Sequence, residues 1–147
     1  MPVAQRRAQV VWEGNLVGGG GTLRVGSEAF GPLPITWAAR TERPDGKTSP
    51  EELIAAAHAG CYAMALSHTL TQRGTPPSQL EVSAVCSLDR VEGRLKITTM
   101  ALEVRGRVPG LSQSEFEDAA RQAEQGCPVS NALRNNVDIR VRATLEV

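Results

Sequence analysis

The chain has 147 residues, a length that suits one domain with a real core and is short for two. Its 16 basic and 16 acidic residues balance, which removes the bulk electrostatic case for a nucleic acid or anionic membrane partner, and 3% aromatic residues give little surface for stacking on bases. No apolar run resembles a secretory signal or a bilayer span, so we expect a cytoplasmic protein whose three cysteines do not form a disulfide scaffold.

The first third of the chain predicts three short strands and the start of a long helix. The strand patterns cover residues 8–13, 22–25 and 34–40, and a glycine run separates the first two as a turn. Ser49 is placed to act as the N-cap of the helix, and Glu52 completes an S-x-x-E capping box.

The apolar composition of the long helix predicts that a second copy of the chain packs against it. It should end before Gly74, and over residues 53–66 it is apolar or small on every side. Such a helix is expected to be buried all round. Because 147 residues supply little material to bury it, we expect an obligate homodimer in which a partner covers one face.

A β-hairpin is predicted after the long helix. Its strands cover residues 79–90 and 94–108, and they turn at residues 92–93. The apolar residues of the second strand change sides partway along, which predicts a β-bulge near residues 98–99.

Two helices and one strand complete the prediction. Ser112 and Glu115 form a second capping box, and this helix should stop at Gly126. Cys127 and Pro128 then open a short helix. One face of the last strand is apolar at alternate positions: Val137, Ile139, Val141, Ala143, Leu145 and Val147. The order βββ-α-ββ-α-α-β predicts a single α+β domain over residues 1–147.

The histidines and cysteines lack the spacing of a metal site. His58 and Cys61 lie three residues apart on one helix face and could supply two ligands, but no third or fourth ligand presents itself. The same spacing argues against Cys–His acyl transfer, because side chains at i and i+3 project side by side. No cofactor or metal is therefore expected, and a hydrolase with Cys61 as acyl nucleophile is the less supported alternative.

Cys61 fits thiol peroxidase chemistry if a cation lies nearby. The attacking species must be a thiolate, and burial in a helix alone would leave the thiol protonated. Arg40 is the best candidate for that cation, and Glu51 is available to pair with it because Glu52 has the capping position. Glu51 and Cys61 would be about 15 Å apart on one straight helix. They could share a site if the helix start unwinds, or across two copies of the chain, and we favour the second arrangement.

Cys127 is predicted to be the resolving thiol. Peroxide would oxidise Cys61 to a sulfenic acid, and Cys127 would condense with it to a disulfide that an external dithiol reduces. The alternative is that both cysteines are small buried hydrophobic residues. Cys86 faces inward on a strand, and we expect it only to pack.

The segments GKTSPEELIAAAHAGCYAMALSHTL and GCPVSNAL resemble the two cysteine motifs of the OsmC branch of the OsmC/Ohr family, and the similarity extends from VWEGN to the last strand. The resemblance implies an intertwined homodimer with sheets wrapped around two central helices. It also implies reduction of organic hydroperoxides, and of hydrogen peroxide less well, with Cys61 peroxidatic, Cys127 resolving, and Arg40 and Glu51 completing the site. Related Ohr proteins suggest a lipoyl-type reductant.

The sequence departs from the family pattern after the proposed arginine. Thr41 stands where relatives often have an aromatic residue, and Arg43 is an alternative to Arg40. A thiol redox sensor or binding protein with negligible turnover remains the second hypothesis for function.

Overall fold

A computed structural model describes residues 1–146 as an α+β protein; Val147, assigned above to the apolar face of the last strand, lies outside the described residues. The elements are β1 (Ala8–Glu13), β2 (Gly20–Val25), β3 (Leu33–Ile35), α1 (Trp37–Thr41), α2 (Pro50–Gln72), β4 (Gln79–Val91), β5 (Arg94–Arg107), α3 (Gln113–Gly126), α4 (Pro128–Leu133) and β6 (Asp138–Leu145). They fall into two compact units, one covering Met1–Leu53 and one beginning at Ile54.

The first unit contains an antiparallel sheet in the order β1-β2-β3. The prediction of a strand over residues 34–40 was wrong beyond Ile35, because the helix α1 occupies the rest of that segment. The hydroxyl of Thr36 accepts a hydrogen bond from the backbone N–H of Ala39 at 3.1 Å and so caps the helix. This local bond offers the backbone an alternative to the sheet.

The helix α2 begins and ends as the sequence predicts. The hydroxyl of Ser49 accepts from the N–H of Glu52 at 3.2 Å. The carboxylate of Glu52 accepts from the hydroxyl of Thr48 at 2.7 Å. At the other end Gly74 has φ +82°, and the N–H of Thr75 donates to the carbonyl of Leu70 at 2.9 Å, which forms a Schellman motif.

All-round burial of α2 is not reached within one chain. A row of residues at helical spacing is exposed: Ala57, Gly60, Met64 and His68. Met64 has a relative exposure of 73%. The opposite side of the helix is buried through Tyr62, Leu66 and Leu70, so the helix has one buried side and one small, largely apolar side that the chain does not cover.

The second unit begins with the β4–β5 hairpin. Glu92 and Gly93 form its turn with φ of 51° and 80°, the backbone of a two-residue hairpin loop. Ser87 pairs with Thr99 whereas Leu88 pairs with Ile97, so Thr98 is the extra residue of a bulge. The predicted turn and bulge are both confirmed.

The remaining elements complete a sheet in the order β4-β5-β6, in which β6 runs parallel to β5. Ser112 caps α3 as predicted: its hydroxyl accepts from the N–H of Glu115 at 3.2 Å and donates to the carboxylate of Glu115 at 3.0 Å. The buried side chains between sheet and helices include Tyr62, Leu66, Leu70, Met100, Leu102, Val104, Phe116 and Cys127. Over residues 1–146, no helix is long and apolar enough to cross a membrane.

Candidate active site

Two thiols face each other in the second unit. Cys61 lies in the middle of α2, and Cys127 ends α3 and caps α4. Their sulfur atoms are 3.3 Å apart, and the thiol of Cys127 donates to the sulfur of Cys61. Cys127 is fully buried whereas Cys61 is half-buried. The fold therefore brings together two cysteines that are 66 residues apart in sequence.

The surroundings of Cys61 within one chain favour the protonated thiol. Burial raises the pKa of Cys61, and the neighbouring thiol of Cys127 raises it further. A hydrogen bond from the backbone of Val129, in the first turn of α4, acts in the opposite direction. Burial is the largest of these effects, so a thiolate at neutral pH requires an additional positive charge.

Two buried hydrogen bonds connect α2 to the helices that flank Cys127. Nε2 of His58 lies 2.7 Å from the hydroxyl oxygen of Ser130, and both residues are fully buried. The hydroxyl of Tyr62 donates to the backbone carbonyl of Ala120 at 2.8 Å. Burial lowers the pKa of His58 and raises the pKa of Tyr62, so both side chains are neutral at physiological pH.

One ion pair connects α3 and the end of α4. The guanidinium of Arg134 donates to the carboxylate of Glu124 at 2.7 Å and to the backbone carbonyl of Glu124 at 2.9 Å. The charge of Glu124 opposes the effect of burial on the pKa of His58 and adds to it for Tyr62.

Arg40 and Glu51 form a salt bridge in the first unit. Nη2 of Arg40 lies 2.9 Å from Oε2 of Glu51, and Nε of Arg40 is 3.1 Å from each carboxylate oxygen. The side chain of Glu51 is 8% exposed and that of Arg40 is 34% exposed, so the carboxylate is buried and the guanidinium keeps an open side. Arg43, the alternative to Arg40, is also exposed.

The candidate metal ligands, His58 and the third cysteine, Cys86, have contacts that do not form a further catalytic or metal site. No group of three or more His, Cys, Asp or Glu side chains that could hold a metal ion occurs in the described part of the chain. Cys–His acyl transfer would need a hydrogen bond between His58 and Cys61, but Nε2 of His58 is hydrogen-bonded to Ser130 instead. Cys86 packs against the core from the inward face of β4.

The two buried hydrogen bonds close to the thiols, those of His58 and Tyr62, were not predicted from the sequence. The spacing contained one signal: His58 lies three residues before Cys61, and Ser130 lies three residues after Cys127. These spacings do not by themselves indicate a pair, because the two residues are 72 positions apart in sequence.

Comparison with known proteins decides the family. The family described as OsmC-like protein matches residues 43–142, more than half of the chain, including Glu51, Cys61 and Cys127. The chain belongs to this family. Peroxiredoxin OsmC of Escherichia coli (strain K12) is 38% identical over 134 residues, which cover 91% of this chain and 93% of that protein.

More distant similarity extends to the hydroperoxide resistance proteins. The organic hydroperoxide resistance protein of Xanthomonas axonopodis pv. citri (strain 306) is 31% identical over 93 residues, 63% of each chain. The crystal structure of the organic hydroperoxide resistance protein OhrB of Bacillus subtilis superposes with a TM-score of 0.75 at 25% identity, covering 94% of this chain and 98% of that one. The α+β fold is thus that of OsmC and Ohr structures. The predicted family and fold class are confirmed; the added helix α1 changes the element order to βββ-α-α-ββ-α-α-β.

Proposed function

We propose that this protein reduces organic hydroperoxides, and hydrogen peroxide less well, through a sulfenic acid on Cys61 and a Cys61–Cys127 disulfide. The observation that supports this most is the 3.3 Å separation between the sulfur atom of Cys61 on α2 and that of Cys127 at the start of α4. The protein is a thiol peroxidase of the OsmC-like family. We propose that residues 1–147 form one functional domain that works without a metal or organic cofactor.

The reaction has two chemical steps on the protein. The thiolate of Cys61 attacks the terminal oxygen of the peroxide, an S–O bond forms, the O–O bond breaks, and the alkoxide leaves and takes a proton from solvent. The thiol of Cys127 then attacks the sulfenic sulfur. An S–S bond forms, and the hydroxyl leaves with the thiol proton as water. An external dithiol, which we propose to be of the lipoyl type, reduces the disulfide.

Arg40 and Glu51 are proposed to activate Cys61 from the second subunit of an obligate homodimer. α2 is continuous from Pro50 to Gln72, so its start is not unwound. The exposed guanidinium side of Arg40 is available to a thiolate, and Glu51 holds the group in place through its two carboxylate oxygens. The uncovered side of α2, which carries Gly60 and Met64 next to Cys61, is the surface that a partner helix would cover.

The remaining parts of the proposal concern the substrate and location. Met64 lies one turn after Cys61 and Ile54 two turns before it, so an apolar alkyl group on the peroxide has apolar neighbours. This favours cumene hydroperoxide over hydrogen peroxide. We propose a cytoplasmic location and no membrane or nucleic acid partner, in keeping with the balanced charge.

Peroxide consumption by three proteins tests the assignment. Wild type, Cys61→Ser and Cys127→Ser are compared with cumene hydroperoxide, first with dithiothreitol and then with dihydrolipoamide. We expect the wild type to turn over and Cys61→Ser to consume no peroxide. Cys127→Ser should consume one equivalent of peroxide per protein, after which Cys61 is not efficiently reduced. Oxidation of Cys61 without turnover with either dithiol would instead support the redox sensor, and an unreactive Cys61 would end the catalytic interpretation.

Mixing inactive variants tests the composite site. Cys61→Ser and Arg40→Met are each expected to be inactive, and their mixed dimer would contain one intact site. After unfolding and refolding at equal concentrations, about a quarter of the wild-type activity should return, since half of the dimers are mixed and each has one of two sites. A site built within one chain would give no recovery.

A further inference from the structure

The buried bond between His58 and Ser130 joins α2, which carries Cys61, to α4, which begins directly after Cys127. His58 lies one turn before Cys61 on α2, and Ser130 lies in the first turn of α4, three residues after Cys127. The two side chains are fully buried and 2.7 Å apart. The bond therefore fixes the position of α4 on α2 close to both sulfur atoms.

The chemistry of the bond assigns a donor and an acceptor. Nδ1 of His58 is buried, and it has no hydrogen-bond partner among the residues that the structure describes. Leaving a buried N–H without a partner costs more free energy than leaving a nitrogen lone pair without one. Nδ1 is therefore the unprotonated nitrogen, and the neutral ring carries its proton on Nε2. His58 then donates to the hydroxyl oxygen of Ser130, and burial, which lowers the pKa of His58, keeps the ring neutral.

The helix α4 needs such an anchor because it is short. It has only six residues, and within the described chain no side chain caps its N-terminus at Cys127. A helix of this length has little stability of its own. Its position nevertheless determines two features of the site, the sulfur of Cys127 and the backbone hydrogen bond of Val129 to Cys61.

We propose that His58 and Ser130 are positioning residues for the resolving step: their hydrogen bond holds α4 so that Cys127 reaches the Cys61 sulfenic acid before a second peroxide does. This inference rests on the proposed function. Condensation of Cys61–SOH with Cys127–SH forms the S–S bond and releases water. The competing reaction of Cys61–SOH with a second hydroperoxide gives the sulfinic acid and an alcohol, which ends turnover. The bond sets the ratio between these two outcomes without taking part in either.

Matched variants test the bond itself. Ser130→Ala removes the acceptor, and His58→Asn leaves an amide too short to reach the position of Nε2. In both variants we expect disulfide formation after one equivalent of cumene hydroperoxide to be about tenfold slower, the rate equivalent of losing one buried hydrogen bond. His58→Gln places an amide nitrogen near the position of Nε2 and should restore most of the rate. The double variant His58→Asn, Ser130→Ala should be no slower than either single variant.

Three measurements distinguish a change in the position of α4 from a general loss of stability. Peroxide consumption in the first turnover reports oxidation of Cys61, non-reducing mass analysis reports the disulfide, and a gain of two oxygen atoms on Cys61 reports the sulfinic acid. We expect the first to slow less than disulfide formation does, because α4 also carries the Val129 hydrogen bond that lowers the pKa of Cys61, and we expect the sulfinic fraction to increase with peroxide concentration. Tyr62→Phe is the control, because it removes the buried bond to Ala120 on α3 and leaves the bond to α4 intact. It should lower stability without raising the sulfinic fraction.

Three results would overturn the inference. One is a wild-type rate of disulfide formation in both Ser130→Ala and His58→Asn, and another is an equal increase in sulfinic acid in Tyr62→Phe. Either would leave the proposed function standing. A wild type that consumes no peroxide would remove both the proposed function and this inference.

Discussion

Oxidation of the protein with one equivalent of cumene hydroperoxide should raise its melting temperature, because the new disulfide restricts the unfolded chain. The cross-link joins residues 66 positions apart, for which the loop-closure entropy corresponds to about 4 kcal/mol at 25 °C. The unfolding entropy of 147 residues is about 0.3 kcal/mol/K near the transition, so the melting temperature should rise by about 14 °C. The sulfur atoms need to approach by only about 1.3 Å from 3.3 Å, so the native state should accommodate the bond.

Paired thermal melts provide the assay. Oxidised and dithiothreitol-reduced samples are compared at one protein concentration, because melting of the proposed dimer would depend on concentration. Cys127→Ser receives the same treatment as the control and should show no increase. The reasoning would be refuted if oxidised wild type melted at or below the temperature of the reduced protein, or if Cys127→Ser gained the same stability.

Three further substitutions test separate parts of the structure. Arg40→Met should move the pH dependence of Cys61 oxidation to higher pH and slow this oxidation about tenfold or more at pH 7. The reason is that burial raises the pKa of Cys61, and the variant lacks the guanidinium proposed to oppose that effect. A pH profile of the stopped-flow rate that is unchanged from wild type would exclude Arg40 from the site. Tyr62→Phe should lower the free energy of unfolding by about 1 kcal/mol in urea titrations, and no loss would contradict the contribution of its buried bond. Gly106→Ala would place Cβ 2.5 Å from Cζ of Phe116 and should cost about 1–3 kcal/mol in the same titration, whereas wild-type stability would mean that the ring moves aside.

The elements with strong local signals were predictable from the sequence. Ser49 and Gly74 limit α2 because a side-chain cap and a positive φ need only neighbouring residues. The bulge at Thr98 was visible because a single extra residue reverses the alternation of apolar positions along the strand. In these places the local pattern and the tertiary fold agree.

The parts that were missed depend on residues far apart or on competition between two local structures. The strand prediction over residues 34–40 followed from apolar residues and overlooked the capping hydroxyl of Thr36, which turned the end of the segment into a helix. The bond between His58 and Ser130 joins residues 72 positions apart, and no periodicity encodes such a pair. The thiols could be proposed as a pair from their motifs, but only the fold gives their separation.

The unequal burial of the two cysteines would give the proposed Cys61–Cys127 disulfide a direction of reduction. Cys127 is fully buried and Cys61 is half-buried, so an incoming thiolate can approach the Cys61 sulfur and not the other. Exchange then joins the reductant to Cys61 and expels Cys127 as the leaving group. In the proposed cycle the mixed disulfide would therefore form on the same sulfur that meets the peroxide, so that oxidant and reductant would attack the same atom in turn.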